Sequence, residues 1–164
     1  MEAPGPGRRS SRYPSSNPEG CVELSFENLR DFFEVGIPFN RFLGIRLAEF
    51  QSGWARLELP FREEFIGDPL RPALHGGLVS TLLDTCGGMA VFTTATEEIR
   101  VSTIDMRVDF LRPGGPELLV AESKIVRAGN RVAVTDGTAY HPGKKDDPVA
   151  TCKAVYNIKR AEPR

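Results

Sequence analysis

Residues 70–88, LRPALHGGLVSTLLDTCGG, hold a single carboxylate, Asp84, among apolar and small residues. A carboxylate is costly to take out of water unless it is paired or used, so its presence asks for a role. Asp84 stands nine residues after His75 and seven after Gly77. In a helix, a separation of seven is close to two turns, so Gly77 and Asp84 lie along one face. The N–H groups of Gly76 and Gly77 then fall at a helix start, where backbone donors lack partners and the helix dipole is positive. Such donors can hold a developing oxyanion. A carboxylate on the same face could act on what is held there, as general base or as nucleophile. A structural reading competes with this: Asp84 satisfied by hydrogen bonds at a packed seam, and His75 capping the helix entry. The helix pattern does not decide between them.

These residues need an element to position them, and residues 76–95 read as one long helix. Leu78, Val79, Leu82, Leu83, Cys86, Met89 and Ala90 recur with the spacing of a helix lying against a sheet. The other face carries Gly77, Ser80, Thr81, Asp84, Gly87 and Gly88, and no Lys, Arg or Glu occurs from 76 to 96. Each glycine inside a helix costs about 1 kcal/mol relative to alanine. That cost makes sense where another backbone comes close. A second subunit is the simplest neighbour, and it would put Asp84 at a seam between subunits.

Around this helix the chain reads as alternating strands. SFENLRDFFEVG predicts a short helix capped by Ser25 and ended by Gly36, with Phe26, Leu29, Phe32 and Phe33 inward. IPFNRFLG predicts a loop. IRLAEFQ and WARLELP alternate about Ser52-Gly53, a hairpin signal. A loop broken by Pro69 and Pro72 follows, then the long helix. Four more strands come after it, in STIDMRVDFLRP, ELLVAESKIVRAG, RVAVTDGTAYHPG and PVATCKAVYNIK, separated by a tight turn at 128–130 and a charged loop at 143–148. Helix, two strands, long helix and four strands make an α+β fold with a mostly antiparallel sheet over the helix.

A chain of 164 residues suits one domain, expected over 21–160. Residues 1–20, rich in Pro, Gly, Ser and Arg, read as a disordered tail. Arg8-Arg9 precedes no apolar stretch, so no leader peptide is read there. A net charge of −1 gives no bulk attraction to nucleic acid or to an anionic membrane, and neither is expected as a partner. No apolar run approaches the roughly 18 residues of a membrane span. Cys21, Cys86 and Cys152 lack metal spacing, and the only histidines are His75 and His141, so no metal site is expected. Reduced thiols point to the cytoplasm.

Taken together and in this order, ALHGGLVSTLLDTCGG, TIDMRVDFLRPG and RVAVTDGTAYHPG resemble the hotdog-fold acyl-CoA thioesterases. The likeness is greatest to the phenylacetic-acid-degradation type with an Asp on the central helix, and it spans residues 39–158. The resemblance implies a long central helix wrapped by a curved antiparallel sheet, and a homodimer or homotetramer with active sites between subunits. It implies hydrolysis of an acyl-CoA to free acid and CoA, with no cofactor beyond the CoA of the substrate. Asp84 matches the catalytic carboxylate, and Gly77, next to Gly76, matches the glycine whose N–H polarises the thioester carbonyl. His75 matches the histidine that supports that loop. Thr103 matches a Ser/Thr that places the water or the carboxylate, from the same side as Asp84, with His75 and Gly77 given by the facing subunit. Where the family often has an Asn before the histidine, this chain has Asp68, which cannot donate as an amide does; a second acid near Asp84 would raise one of the two pKa values.

For CoA itself, basic residues at strand ends are the expected contacts: Arg112, Arg127 and Arg131. Phe61, Phe65, Leu74 and Met89 are candidates for the acyl pocket. Two other functions compete. One is a non-catalytic acyl-CoA-binding module, which the presence of Asp84 disfavours. The other is a hydratase, whose Asp-x-Asn-Pro-x-His spacing is absent from GDPLRPALHGG.

Overall fold

The computed structural model describes residues 26–95 and 99–160. The tail 1–20, Cys21 and the Ser25 cap lie outside these residues. The sheet is built from six strands: β1 (Arg46–Gln51), β2 (Trp54–Leu59), β5 (Ile99–Phe110), β6 (Leu119–Ala128), β7 (Val132–Tyr140) and β8 (Ala150–Arg160). Their order is β1-β2-β6-β7-β8-β5, and every neighbouring pair is antiparallel. The expected hairpin joins β1 to β2, with Gly53 at φ +77°, where L side chains are strained. A two-stranded ribbon, β3 (Ile66–Asp68) with β4 (Ala73–Leu74), occupies the segment expected as a plain loop.

The long helix α3 spans Gly76–Phe92 and packs on β2, β5, β6, β7 and β8. Val79, Leu82, Leu83, Cys86, Met89 and Ala90 are buried against the sheet, as their spacing required. Leu78 is only partly buried and lies beside the helix entry. The helix stops at Phe92, short of 95, because threonines cap its last turn. Thr93 Oγ1 donates to the Ala90 carbonyl and accepts from the Gly53 N–H, while Thr94 Oγ1 donates to Val91.

Two differences concern the start of the described chain. The single early helix is a five-residue α1 (Phe26–Arg30) followed by a π-helical turn, Asp31–Gly36. The turn buries Phe33 and stacks Phe32 on Phe92 of α3 at 5.6 Å. The expected loop IPFNRFLG contains a helix, α2 (Pro38–Leu43). Pro38 fits its first position and Gly44, at φ +75°, ends it. Six residues are too few for helical periodicity to show.

Candidate active site

Asp84 sits in the middle of α3, half buried, and its carboxylate is held from the sheet. Thr103 Oγ1 on β5 donates to Asp84 Oδ1 at 2.8 Å. The register explains the aim. Thr103 pairs with Tyr156 and Asp105 with Val155, so Ile104 is an extra residue in a bulge right after Thr103. Bulges redirect side chains and recur beside active sites. Tyr156 on β8, 1% exposed, shares its hydroxyl proton between the Asp84 main-chain carbonyl, at 2.8 Å, and Oδ1, at 3.2 Å. Burial, with the Asp84 charge beside it, pushes the Tyr156 hydroxyl far above the usual tyrosine range, so it remains a donor.

Asp84 and Thr103 open onto a groove of about 580 Å³. Its lining combines the apolar Phe32, Phe33, Ile37 and Phe92 with the cations Arg100 and Lys159. Both cations are exposed and directly opposed across the β5–β8 pair. A polar pocket of about 490 Å³, lined by Arg131 among others, shares Asn157 and Lys159 with this groove.

The helix entry faces a second groove, of about 380 Å³, lined by His75, Gly77, Leu78, Thr81, Phe65 and the exposed Phe39 and Phe42. His75 caps α3: its Nδ1 accepts from the Gly77 N–H at 3.0 Å. Nδ1 is therefore unprotonated, and the neutral ring carries its proton on Nε2. A Cβ at Gly77 would stand 3.0 Å from that Nδ1, so glycine lets the ring fold back onto its own helix. Within one chain, then, Asp84 and Thr103 line one groove and His75 and Gly77 another, about 10 Å apart along the helix axis. Gly76, partly buried, faces Phe110, whose Cζ would lie 3.3 Å from an added Cβ.

Other expected residues serve elsewhere. Asp68 lines neither groove: Oδ1 accepts from the Leu70 and Arg71 N–H groups and Oδ2 from Arg71 Nε. Those bonds hold its carboxyl below the usual carboxylate range, the reverse of the upward shift expected for a second acid beside Asp84. Arg112 pairs with Asp147 and donates to the Pro148 carbonyl, and it lines none of the three grooves. Arg127 is exposed on β6 and also lines none of them. Phe65 borders the helix-entry groove, whereas Leu74 and Met89 are buried core and Phe61 packs partly against it. His141 is buried and structural, donating from Nδ1 to the Leu118 carbonyl and accepting at Nε2 from the Gly115 N–H. Burial raises the Cys86 thiol to about 12 and Cys152 to about 11, so neither is a nucleophile at neutral pH. Among the described residues, no group of three His, Cys, Asp or Glu side chains could hold a metal ion.

Sequence reasoning missed Tyr156, Arg100, Lys159 and Phe92. Only the tyrosine left a signal, indirectly, through Gly87. That glycine was expected on the subunit face but is buried in the chain, and a Cβ there would stand 2.3 Å from Tyr156 Oη.

Known proteins resemble this chain in sequence and fold. The family model described as "Thioesterase superfamily" matches residues 72–146. The medium/long-chain acyl-CoA thioesterase YigI of Escherichia coli K12 is 34% identical over 126 residues, covering 69% of this chain and 81% of YigI. A thioesterase family protein of Silicibacter pomeroyi superposes with a TM-score of 0.74 at 29% identity, over 81% of this chain and 96% of that one. The PaaI protein of the E. coli phenylacetic acid degradation operon superposes at 0.71 with 20% identity, over 84% and 93%, a likeness of fold.

Proposed function

The chain belongs to the thioesterase superfamily of hotdog proteins, and from that premise we propose that it hydrolyses acyl-CoA thioesters with Asp84 as general base. One observation carries the reading. A half-buried carboxylate, aimed by Thr103 at 2.8 Å, lines a single groove together with apolar and cationic side chains. An acyl-CoA has that polarity: an apolar acyl group, a thioester, and an anionic carrier.

The chemistry follows from the groups present. Asp84 takes a proton from a water molecule as the water oxygen bonds to the thioester carbon. The carbonyl pair moves onto its oxygen, and the oxyanion is held at the start of α3. It then collapses and expels the CoA thiolate, which takes the proton held by Asp84 and restores the carboxylate. The donor for the oxyanion is the Gly77 N–H, which His75 Nδ1 occupies in the free chain. Substrate therefore displaces or shares that bond, and His75 acts as a placeholder that keeps the donor aimed.

Asp84 and Gly77 face different grooves in one chain, so a complete site takes Asp84 and Thr103 from one copy and His75 and Gly77 from another. Two features support such pairing. β5 is a 12-residue strand at the sheet edge, where backbone groups can pair with a second chain. The exposed apolar residues Phe39, Phe42, Ile104 and Phe110 lie beside the helix entry or on that strand.

For the phosphates of CoA, the reading moves from Arg112 and Arg127 to Arg100, Lys159 and the expected Arg131. Directly opposed like charges repel, and among the described residues none of the three is in an ion pair. A polyanion would relieve that repulsion. Arg100 lies three residues from Thr103, about 10 Å along the strand, a span an extended pantetheine arm covers. The apolar side chains of the groove accept an acyl group, and YigI is named a medium/long-chain acyl-CoA thioesterase, so this reading places medium or long chains ahead of small aromatic acyl groups. Release of CoA thiol from a series of straight-chain and arylacetyl-CoAs tests the function: straight chains turn over fastest on this reading, and no release from any member refutes it.

A further inference from the structure

Two hydroxyls converge on one oxygen of Asp84. Thr103 Oγ1 and Tyr156 Oη lie 2.8 and 3.2 Å from Oδ1, and among the described residues no donor reaches Oδ2. We propose that Tyr156 is a positioning residue that, with Thr103, fixes Asp84 through Oδ1 and leaves Oδ2 as the oxygen that receives the proton of the attacking water. The proposal rests on the reading of Asp84 as the general base and adds which oxygen works and what holds the other.

A carboxylate has two equivalent oxygens that exchange by rotation about its last bond. One hydrogen bond slows that exchange; two donors on the same oxygen, from two strands, oppose it at any tilt of the side chain. Tyr156 also bonds the main-chain carbonyl of Asp84 at 2.8 Å, so its hydroxyl is tied to the helix at the residue it orients. The fold makes room for this. Gly87 is one turn further along α3, and any side chain there would push the Tyr156 ring away, since its Cβ would stand 2.3 Å from Oη and 2.9 Å from Cζ. The tyrosine ring is otherwise plain core, so the hydroxyl can be removed without touching the packing. In the reacting complex, the water O–H bond breaks toward Oδ2 while the water oxygen bonds to the thioester carbon.

Y156F tests the assignment beside T103V and D84N, with kcat and KM measured separately on one acyl-CoA and Tm on each protein. Loss of the second donor on Oδ1 predicts that Y156F lowers kcat about tenfold or more, with KM within about twofold and Tm lowered by only a few degrees. Y156F/T103V falls below either single variant. In a crystal structure of D84N the side-chain oxygen faces the two hydroxyls and the NH₂ occupies the groove side. Wild-type kcat in Y156F, with D84N inactive, overturns the Tyr156 assignment alone. So does a Y156F whose kcat, KM and Tm all deteriorate together, which marks a purely structural residue. D84N at wild-type turnover overturns the underlying reading, and this one with it.

Discussion

Asp84 is satisfied and poised at once. Thr103 and Tyr156 supply the hydrogen bonds that make a half-buried carboxylate tolerable, and they do so on one oxygen. Asp68 makes the contrast. Its two oxygens accept three hydrogen bonds at the exposed turn that joins β3 to β4. Its folded pKa is lowered, so any stability it lends is present above the ordinary carboxylate pKa of about 4 and fades as pH falls through the lowered value. D68N is therefore expected to leave the neutral pH–rate profile unchanged and to lower Tm slightly at pH above about 4, with the gap to wild type closing as pH falls into the acid range. A shifted profile in D68N would return that acid to the chemistry.

At the scale of elements, α3 combines a core face, a mid-helix carboxylate and a glycine made necessary by a strand two layers of sequence away. G87A follows from that geometry. Overpacking of this kind costs about 1–3 kcal/mol, outweighing the gain of about 1 kcal/mol in helix propensity. A lower Tm is expected, together with lost turnover as the Tyr156 ring moves; a stabilised G87A would contradict the close approach. Much of this was legible beforehand. Period-two alternation gave every long strand, and the i, i+4 spacing gave the core face of α3. Asp84, His75 and Gly77 stood out through their types and spacing, and Thr103 through the family resemblance. Tyr156 did not, because an inward residue on an alternating strand reads as core, and its hydroxyl meets Asp84 only through pairing 72 residues apart. Arg100 and Lys159 are ordinary surface cations until register sets them opposite each other. The short α2 and the π-helical turn lack the length for a periodic signal, yet the turn carries Phe32 and Phe33 of the Asp84 groove and α2 carries Phe39 and Phe42 of the helix-entry groove.

At the scale of the whole molecule, the two halves of the chemistry lie about 10 Å apart along one helix and open on different grooves. A shared site predicts complementation. H75A and D84N, each inactive alone, regain activity when the two chains are unfolded and refolded together, because mixed pairs hold one intact site. No recovery, with mixed pairs shown by mass spectrometry, would place the whole site within one chain. The most direct test of the central claim is steady-state CoA release by wild type and D84N on the acyl-CoA that wild type turns over best. Rapid release by wild type and a fall of about a hundredfold or more in D84N kcat are expected, with the variant folded and still binding substrate. Equal turnover by the two proteins would show that Asp84 is a structural acid and that the hydrolysis runs on other groups.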